Sequence, residues 1–303
     1  MYLFFQKLTL FGLWLYCKRV AIHNRSLLGI ENPTILGCNH PNSFLDAMVV
    51  GAKMKKRVHF ITRSDVFKKA WVRSILRSVN MIPIYRIRDG KDNLGKNDLT
   101  FEECRQILKR GEHVLIFVEG FCQHQTTLQL PLKKGAPRMF IQAVEDGLDI
   151  KLLPVWIRYS SFVKFPKEID INFGTAFGKE ILTGAVENSA KMLAINTANA
   201  NQLQQLSEIK HPKPVTFSKA ILLLPAMLGL LTHILFYYPL QKLASKLQGD
   251  IHYDSILFCI LTFLYPFYLL LIGLLFFCLL GAWWGLGAVL LLPLLAKAYT
   301  MWK

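Results

Sequence analysis

The chain has 303 residues, of which 52% are hydrophobic and 18% are charged, so its length fits one α/β domain with added membrane-associated segments. The formal net charge is +16, and the first 218 residues carry 31 basic and 18 acidic side chains. Such an excess indicates an anionic partner, and the apolar C-terminal third makes anionic membrane lipids a better match than nucleic acid, which we exclude.

The N-terminal segment, residues 1–19, is apolar and aromatic up to Tyr16 and then basic at Lys18 and Arg19. It is shorter than the roughly 20 apolar residues that a spanning helix needs. We therefore predict an interfacial helix that associates with the membrane, with its basic side chains at the lipid headgroups. The alternative is a helix packed on the core of the following domain.

Residues 20–210 alternate apolar runs of strand length with amphipathic helical segments. This alternation predicts an α/β domain with a mixed or mostly parallel sheet flanked by helices. Because polar residues follow several of the apolar runs, we expect them to meet at one edge of the sheet. The predicted strands include 33–37, 58–61, 82–84, 113–118, 150–155 and 168–173.

The segment from Cys38 to Asp46 follows one of these strands and leads into a helix. Histidine has the side-chain pKa nearest neutral pH, and a carboxylate within reach makes it a general base. The competing interpretation is that His40 is a capping or core histidine and Asp46 a helix-start carboxylate. Ser43 is predicted to be a capping hydroxyl.

Two prolines at 212 and 214 mark a linker, residues 211–218, before a membrane-embedded segment, 219–303. Within it, residues 220–240 carry no charge and are predicted to span the membrane or to lie at its interface, and residues 242–254 are predicted to form a polar loop. Residues 255–277 and 282–296 then form a predicted hairpin that turns between Gly281 and Gly287. Lys297 and Lys303 favour a cytoplasmic C-terminus.

Four blocks resemble the motifs of the glycerolipid acyltransferase superfamily, the lysophosphatidic acid acyltransferases of the bacterial PlsC type. They are Asn39-His40 with Asp46, Met81–Arg86, Phe117–Gly120, and Leu153–Val155 with Tyr159. The resemblance covers roughly residues 30–180 and implies the fold of glycerol-3-phosphate acyltransferases. Two departures stand out: five residues separate His40 from Asp46 where the family has four, and Phe121-Cys122 replaces the third block's usual Thr-Arg.

The resemblance implies that His40 is the general base and that Asp46 orients it. It places Arg86 at the substrate phosphate and Glu119 in the substrate site, with a Glu119–Arg86 salt bridge as the alternative. Backbone N–H groups near Gly120 are candidates for the oxyanion site. With the third-block arginine absent, Lys133, Lys134 and Arg138 are the nearest replacements in the sequence, or else surface charges.

The predicted function is a membrane-bound O-acyltransferase that moves a fatty acyl group from acyl-CoA or acyl-ACP to the hydroxyl of lysophosphatidate. Glycerol 3-phosphate or a lyso-aminolipid is the alternative acceptor, and a non-catalytic lipid-binding protein is the alternative class. We expect no bound cofactor, since the acyl thioester is a cosubstrate. No histidines lie at metal-ligand spacing, and no Cys-x-x-Cys pair is present. We therefore expect neither a metal nor a disulfide framework. Because free cysteines are typical of a reducing compartment, we expect the catalytic domain on the cytoplasmic face of the cytoplasmic membrane.

Overall fold

A computed structural model describes residues 1–85, 95–209, 219–247 and 250–303. The strands are β1 Cys17–His23, β2 Thr34–Cys38, β3 Val58–Arg63, β4 Met81–Ile84, β5 His113–Phe117, β6 Lys151–Tyr159 and β7 Lys167–Phe173. The helices are α1 Tyr2–Tyr16, α2 Phe44–Lys53, α3 Ala70–Ser78, α4 Lys96–Lys109, α5 Gly135–Glu145, α6 Asn188–Glu208, α7 Lys219–Leu247, α8 Asp250–Leu280 and α9 Ala282–Trp302.

The seven strands form a single sheet in the order β1-β7-β6-β2-β5-β3-β4. Every neighbouring pair is parallel except β6 and β7. The predicted α/β class with a mostly parallel sheet is therefore confirmed. In the centre, Cys38 of β2 lies level with Phe117 of β5, so the residues that follow these two strands leave the sheet at the same edge.

Helices cover both faces of the sheet, because alternate side chains of a strand point in opposite directions. Leu36 of β2 belongs to a core that it shares with α1, α2 and the start of α8. Its neighbour Ile35 belongs to a second core, formed with α4, α5 and α6. Leu257 and Phe258 of α8 are completely buried in the first core, so the C-terminal segment is part of the domain's packing.

Helix α1 packs against α2, α8 and α9. Leu13 and Tyr16 are buried in the first core, whereas Leu3 and Phe4 are each 65% exposed. The C-terminal half of α1 therefore packs on the domain core, as the alternative interpretation states. The interfacial role of its exposed N-terminal turn stays a prediction.

Three helices, 219–247, 251–280 and 282–302, are long and apolar enough to cross a membrane. The polar loop predicted for residues 242–254 is wrong, because α7 continues to Leu247 and α8 begins at Asp250. The predicted turn at 281–287 is also too long: only Gly281 separates α8 from α9. Its φ of 98° is a conformation that glycine tolerates best. The linker residues 211–218 lie outside the described residues.

Candidate active site

The edge of the sheet beyond β2 holds the loop that carries His40. The side chain of Asn39 is buried and bonds the backbone of β6 twice, since Nδ2 donates to Ile157 O at 2.9 Å and Oδ1 accepts from Ile157 N at 2.7 Å. These two bonds replace the strand ladder where β2 ends, so the loop begins from a fixed position.

His40 pairs with Asp46 across this loop. His40 Nδ1 donates to Asp46 Oδ2 at 2.9 Å, and the Asp46 side chain is completely buried while that of His40 is 17% exposed. The imidazole stacks on Phe117 with a centroid separation of 3.6 Å. Because Nδ1 faces the carboxylate, Nε2 is the nitrogen left to meet a substrate proton.

Two further donors hold the Asp46 carboxylate. Asn42 N–H bonds Oδ2 and the Tyr159 hydroxyl bonds Oδ1, each at 2.8 Å. Burial raises the pKa of Asp46, while the bonds from His40, Asn42 and Tyr159 act in the opposite direction. The carboxylate therefore has a fixed orientation, and a helix-start role alone does not explain these contacts.

The extra residue between His40 and Asp46 is absorbed in the loop before α2. Ser43 has a φ of 55° and a ψ of −144°, a region that residues other than glycine rarely adopt. Ser43 occupies the cap position of α2, but its hydroxyl does not cap the helix and lies instead 2.6 Å from His252 Nδ1 of α8. The predicted capping role of Ser43 is therefore wrong.

Glu119 lies next to the His40 loop, beyond the end of β5, and is buried. Its Oε2 accepts from His40 N–H at 2.8 Å, and its Oε1 accepts from Gln125 Nε2 and Gln129 N–H at 2.8 and 2.9 Å. Burial raises its pKa, and the backbone bonds oppose that rise. Glu119 thus joins the His40 loop to the segment that follows β5, which contains Gln125 and Gln129. The alternative partner, Arg86, lies outside the described residues, so its role in phosphate binding stays a prediction.

Cys122 stands where the family motif has its arginine. Its Sγ accepts from Ser43 N–H at 2.9 Å, and burial raises its thiol pKa to about 12. A thiol with so high a pKa is a poor nucleophile near neutral pH.

The N–H of Gly120 itself donates to Phe117 O at 3.1 Å, in a turn where Gly120 has a φ of 73°. An oxyanion site formed by backbone N–H groups near Gly120 stays a prediction. The exposed Lys133 packs beside the glycine: a Cβ at position 120 would lie 2.6 Å from Lys133 Cγ. Lys133 is therefore the lysine that the structure places beside the Glu119 turn, and its role toward substrate stays a prediction.

The other two predicted replacements differ from Lys133. Lys134 is exposed at the residue before α5. Arg138 faces α4, where it forms an ion pair with Asp98 at 2.7 Å and lies over the ring of Phe101 at 4.4 Å. These contacts agree with the alternative that Arg138 is a surface charge, and its role toward substrate stays a prediction.

Sequence reasoning missed the contribution of α8. His252, Asp254 and Ser255 all bond the loop between His40 and Asp46. The available signal was the presence of a carboxylate and a hydroxyl directly before a long uncharged run. Within the described residues, no group of three His, Cys, Asp or Glu side chains is arranged to hold a metal ion.

Residues 19–158 match the family model Acyltransferase. A curated relative, the 1-acyl-sn-glycerol-3-phosphate acyltransferase of Bacillus subtilis (strain 168), is 25% identical over 118 residues, which are 39% of this chain and 54% of the relative. The match thus spans about half of that relative's length. The crystal structure of the 1-acyl-sn-glycerophosphate (LPA) acyltransferase PlsC from Thermotoga maritima aligns with 69% of this chain and 81% of its own, at 14% identity and a TM-score of 0.47.

Proposed function

Because residues 19–158 match the family model Acyltransferase, we propose that this protein moves a fatty acyl group from an acyl thioester to the hydroxyl of lysophosphatidate in phospholipid biosynthesis. The observation that carries the proposal is the pair of His40 and Asp46, 2.9 Å apart at the end of a central strand. The acyl donor is acyl-CoA or acyl-ACP, which acts as a cosubstrate.

His40 is the general base of the proposed reaction. Its Nε2 takes the proton of the acceptor hydroxyl while the hydroxyl oxygen attacks the thioester carbonyl. The charged imidazolium is stabilised by the buried carboxylate of Asp46. When the tetrahedral intermediate collapses, the C–S bond breaks and the proton passes from His40 to the leaving thiolate. An ester and a free thiol result, and no protein nucleophile is needed.

An acceptor without a phosphate group is the second candidate. It is favoured by one observation, the neutral thiol of Cys122 at the position of the family's third-block arginine. Without that arginine, a lyso-aminolipid or another lyso-lipid without phosphate is a reasonable acceptor, whereas glycerol 3-phosphate, like lysophosphatidate, still needs a cation at its phosphate. Lys133, exposed beside Gly120, supports the phosphorylated acceptor, because a cation at this point can contact a phosphate. The two classes are separated by an acceptor panel.

The proposed location is the cytoplasmic membrane, with the catalytic domain on the cytoplasmic face. It is supported by three helices of spanning length and by the positive charge of the first 218 residues. Since α8 begins beside the His40 loop, the site would lie at the membrane surface, where a lysolipid presents its headgroup.

The deciding experiment compares wild type with His40→Ala, using the full chain in lipid nanodiscs. Acyl-CoA and acyl-ACP are each offered with lysophosphatidate, glycerol 3-phosphate and an uncharged lyso-lipid, and ester products are quantified by mass spectrometry. Loss of a general base lowers turnover about 10²- to 10⁴-fold. We expect that loss for His40→Ala with every acceptor that the wild type uses.

The matched control is His59→Ala. It removes another histidine–carboxylate pair of the sheet, His59 Nε2 with Glu112 Oε2 at 2.8 Å, and is expected to keep turnover within about twofold. A folded His40→Ala protein with turnover near wild type would refute the mechanism. A wild-type protein that acylates none of the acceptors but binds them would support the non-catalytic alternative.

A further inference from the structure

The first two turns of α8 bond the loop that lies between the two proposed catalytic residues. Ser255 Oγ donates to Asn42 O at 2.8 Å and accepts from Leu45 N–H at 3.1 Å. Ser255 is completely buried, so water does not compete for these bonds. One hydroxyl therefore holds two backbone groups of the loop, one on either side of Ser43.

Asp254 makes a second set of contacts with the same loop. Its Oδ2 accepts from Asn42 Nδ2 at 2.5 Å, while its Oδ1 accepts from the Tyr16 hydroxyl at 2.5 Å and pairs with Lys167 Nζ at 2.5 Å. The Asp254 and Lys167 side chains are both fully buried. This cluster joins α8 to α1, to β7 and to the residue whose backbone N–H bonds the Asp46 carboxylate.

His252 supplies the third contact, with its Nδ1 2.6 Å from Ser43 Oγ. Ser43 is the loop residue with positive φ, and such a backbone persists only where surrounding contacts determine it. Those contacts are the His252 bond and the bond from Ser43 N–H to Cys122.

From these contacts we infer that the first two turns of α8 are a positioning element of the reaction centre, with Ser255 and Asp254 acting on Asp46 through Asn42. The helix that enters the membrane thus has a catalytic consequence besides anchoring the chain. The inference deepens the proposed function and rests on it where activity is concerned, because Asp46 matters for turnover only if His40 is the base.

Ser255→Ala is the primary test variant, since it removes one small hydroxyl and leaves the ion pair of Asp254 and Lys167 intact. Ser255→Thr keeps a hydroxyl and is the rescue variant. Tyr268→Phe is the matched control, because Tyr268 lies further along α8 and its hydroxyl bonds Thr232 O at 2.6 Å, away from the loop.

The first measurement is amide hydrogen exchange of the full chain in nanodiscs. Loss of the two Ser255 bonds is expected to speed the exchange of residues 42–46 by at least about fivefold, which is the effect of losing one ordinary hydrogen bond. Tyr268→Phe is expected to leave this segment unchanged. Unchanged exchange in Ser255→Ala overturns the inference, and so does an increase spread over the strands of the sheet, which marks general destabilisation.

The second measurement is steady-state kinetics with the preferred acceptor. Ser255→Ala is expected to lower kcat about five- to tenfold while KM for both substrates stays within twofold, and Ser255→Thr is expected to recover most of kcat. In an Asp46→Ala background the same substitution is expected to change kcat less than twofold, because no side chain is then left at position 46 for Asn42 to hold. Equal losses in both backgrounds overturn the inference.

The two measurements also keep the inference separate from the proposed function. If the wild type transfers no acyl group to any acceptor, the proposed function fails, and hydrogen exchange still decides whether α8 holds the loop. If His40→Ala abolishes transfer but Ser255→Ala changes neither exchange nor kcat, the proposed function stands and the inference fails.

Discussion

The substitution Asp46→Asn distinguishes two roles of the Asp46 carboxylate, namely selecting the imidazole tautomer and stabilising the imidazolium charge. In a catalytic triad, the aspartate-to-asparagine change lowers kcat about 10⁴-fold because the amide favours the wrong tautomer. Here Oδ2 accepts from both His40 Nδ1 and Asn42 N–H, while Oδ1 accepts from the Tyr159 hydroxyl.

These partners decide the orientation of the new amide. Its NH₂ group cannot face the Asn42 N–H, since two donors would then meet, whereas the Tyr159 hydroxyl can rotate and accept from it. The amide oxygen therefore replaces Oδ2 and still accepts from Nδ1 of His40. The tautomer is retained, and only the charge is lost.

The loss of charge sets the expected magnitude. Hydrogen bonds to charged groups contribute about 1.5–3 kcal/mol, which corresponds to a decrease of about 10- to 150-fold in kcat. Asp46→Ala is expected to lose more, because it also leaves the Asn42 N–H and the Tyr159 hydroxyl without their acceptor.

The assay is kcat for both variants beside His40→Ala, in nanodiscs with saturating acyl donor and acceptor. Thermal unfolding of each variant shows whether the fold is intact. If Asp46→Asn is as inactive as His40→Ala, the amide has selected the wrong tautomer and the hydrogen-bond argument is refuted.

Two other perturbations test the thiol and a buried histidine. Cys122→Ser is expected to keep at least half of the wild-type turnover. Because burial raises the pKa of Cys122 to about 12, its thiol is expected to react with iodoacetamide at pH 8 more slowly than an exposed thiol of ordinary pKa. A hydroxylamine-labile acyl group on Cys122 would contradict a purely structural thiol. Burial lowers the pKa of His113 from 6.5 to about 4, so between those values the unfolded chain binds a proton that the folded chain does not. Stability is therefore expected to fall by about 3 kcal/mol from pH 7 to pH 4 because of this group. His113→Leu is expected to remove that part of the acid sensitivity in thermal unfolding scans, and an unchanged pH dependence would count against it.

The class of the fold, and the edge of the sheet where the site lies, follow from local patterns in the sequence. Strand and helix periods are local properties, so their alternation predicts a mostly parallel sheet without knowledge of any contact. Parallel neighbours end at the same edge, which brings His40 and Glu119 together, each two residues beyond its strand. The hydrogen bond from His40 N–H to Glu119 follows from that register.

Tertiary contacts, in contrast, determine which polar groups already have a hydrogen-bond or ion-pair partner. From the sequence, the N–H of Gly120 and the guanidinium of Arg138 both look available to a substrate. The first donates to Phe117 O and the second pairs with Asp98. Such partners are set by turn geometry and by helix packing, and residue type alone does not reveal them.

The largest difference between the prediction from the sequence and the structure concerns the start of α8. Charged residues before an apolar run normally indicate a solvated loop, and the sequence predicts one that ends at Asp254. Its counter-charge is Lys167, which lies 87 positions earlier in the chain, and the same carboxylate bonds Asn42 of the His40 loop. A buried charge is tolerated only where such partners are present. Only the packing of α8 on the sheet domain brings them together, because local sequence sets periodicity but not the distant partner of a charge.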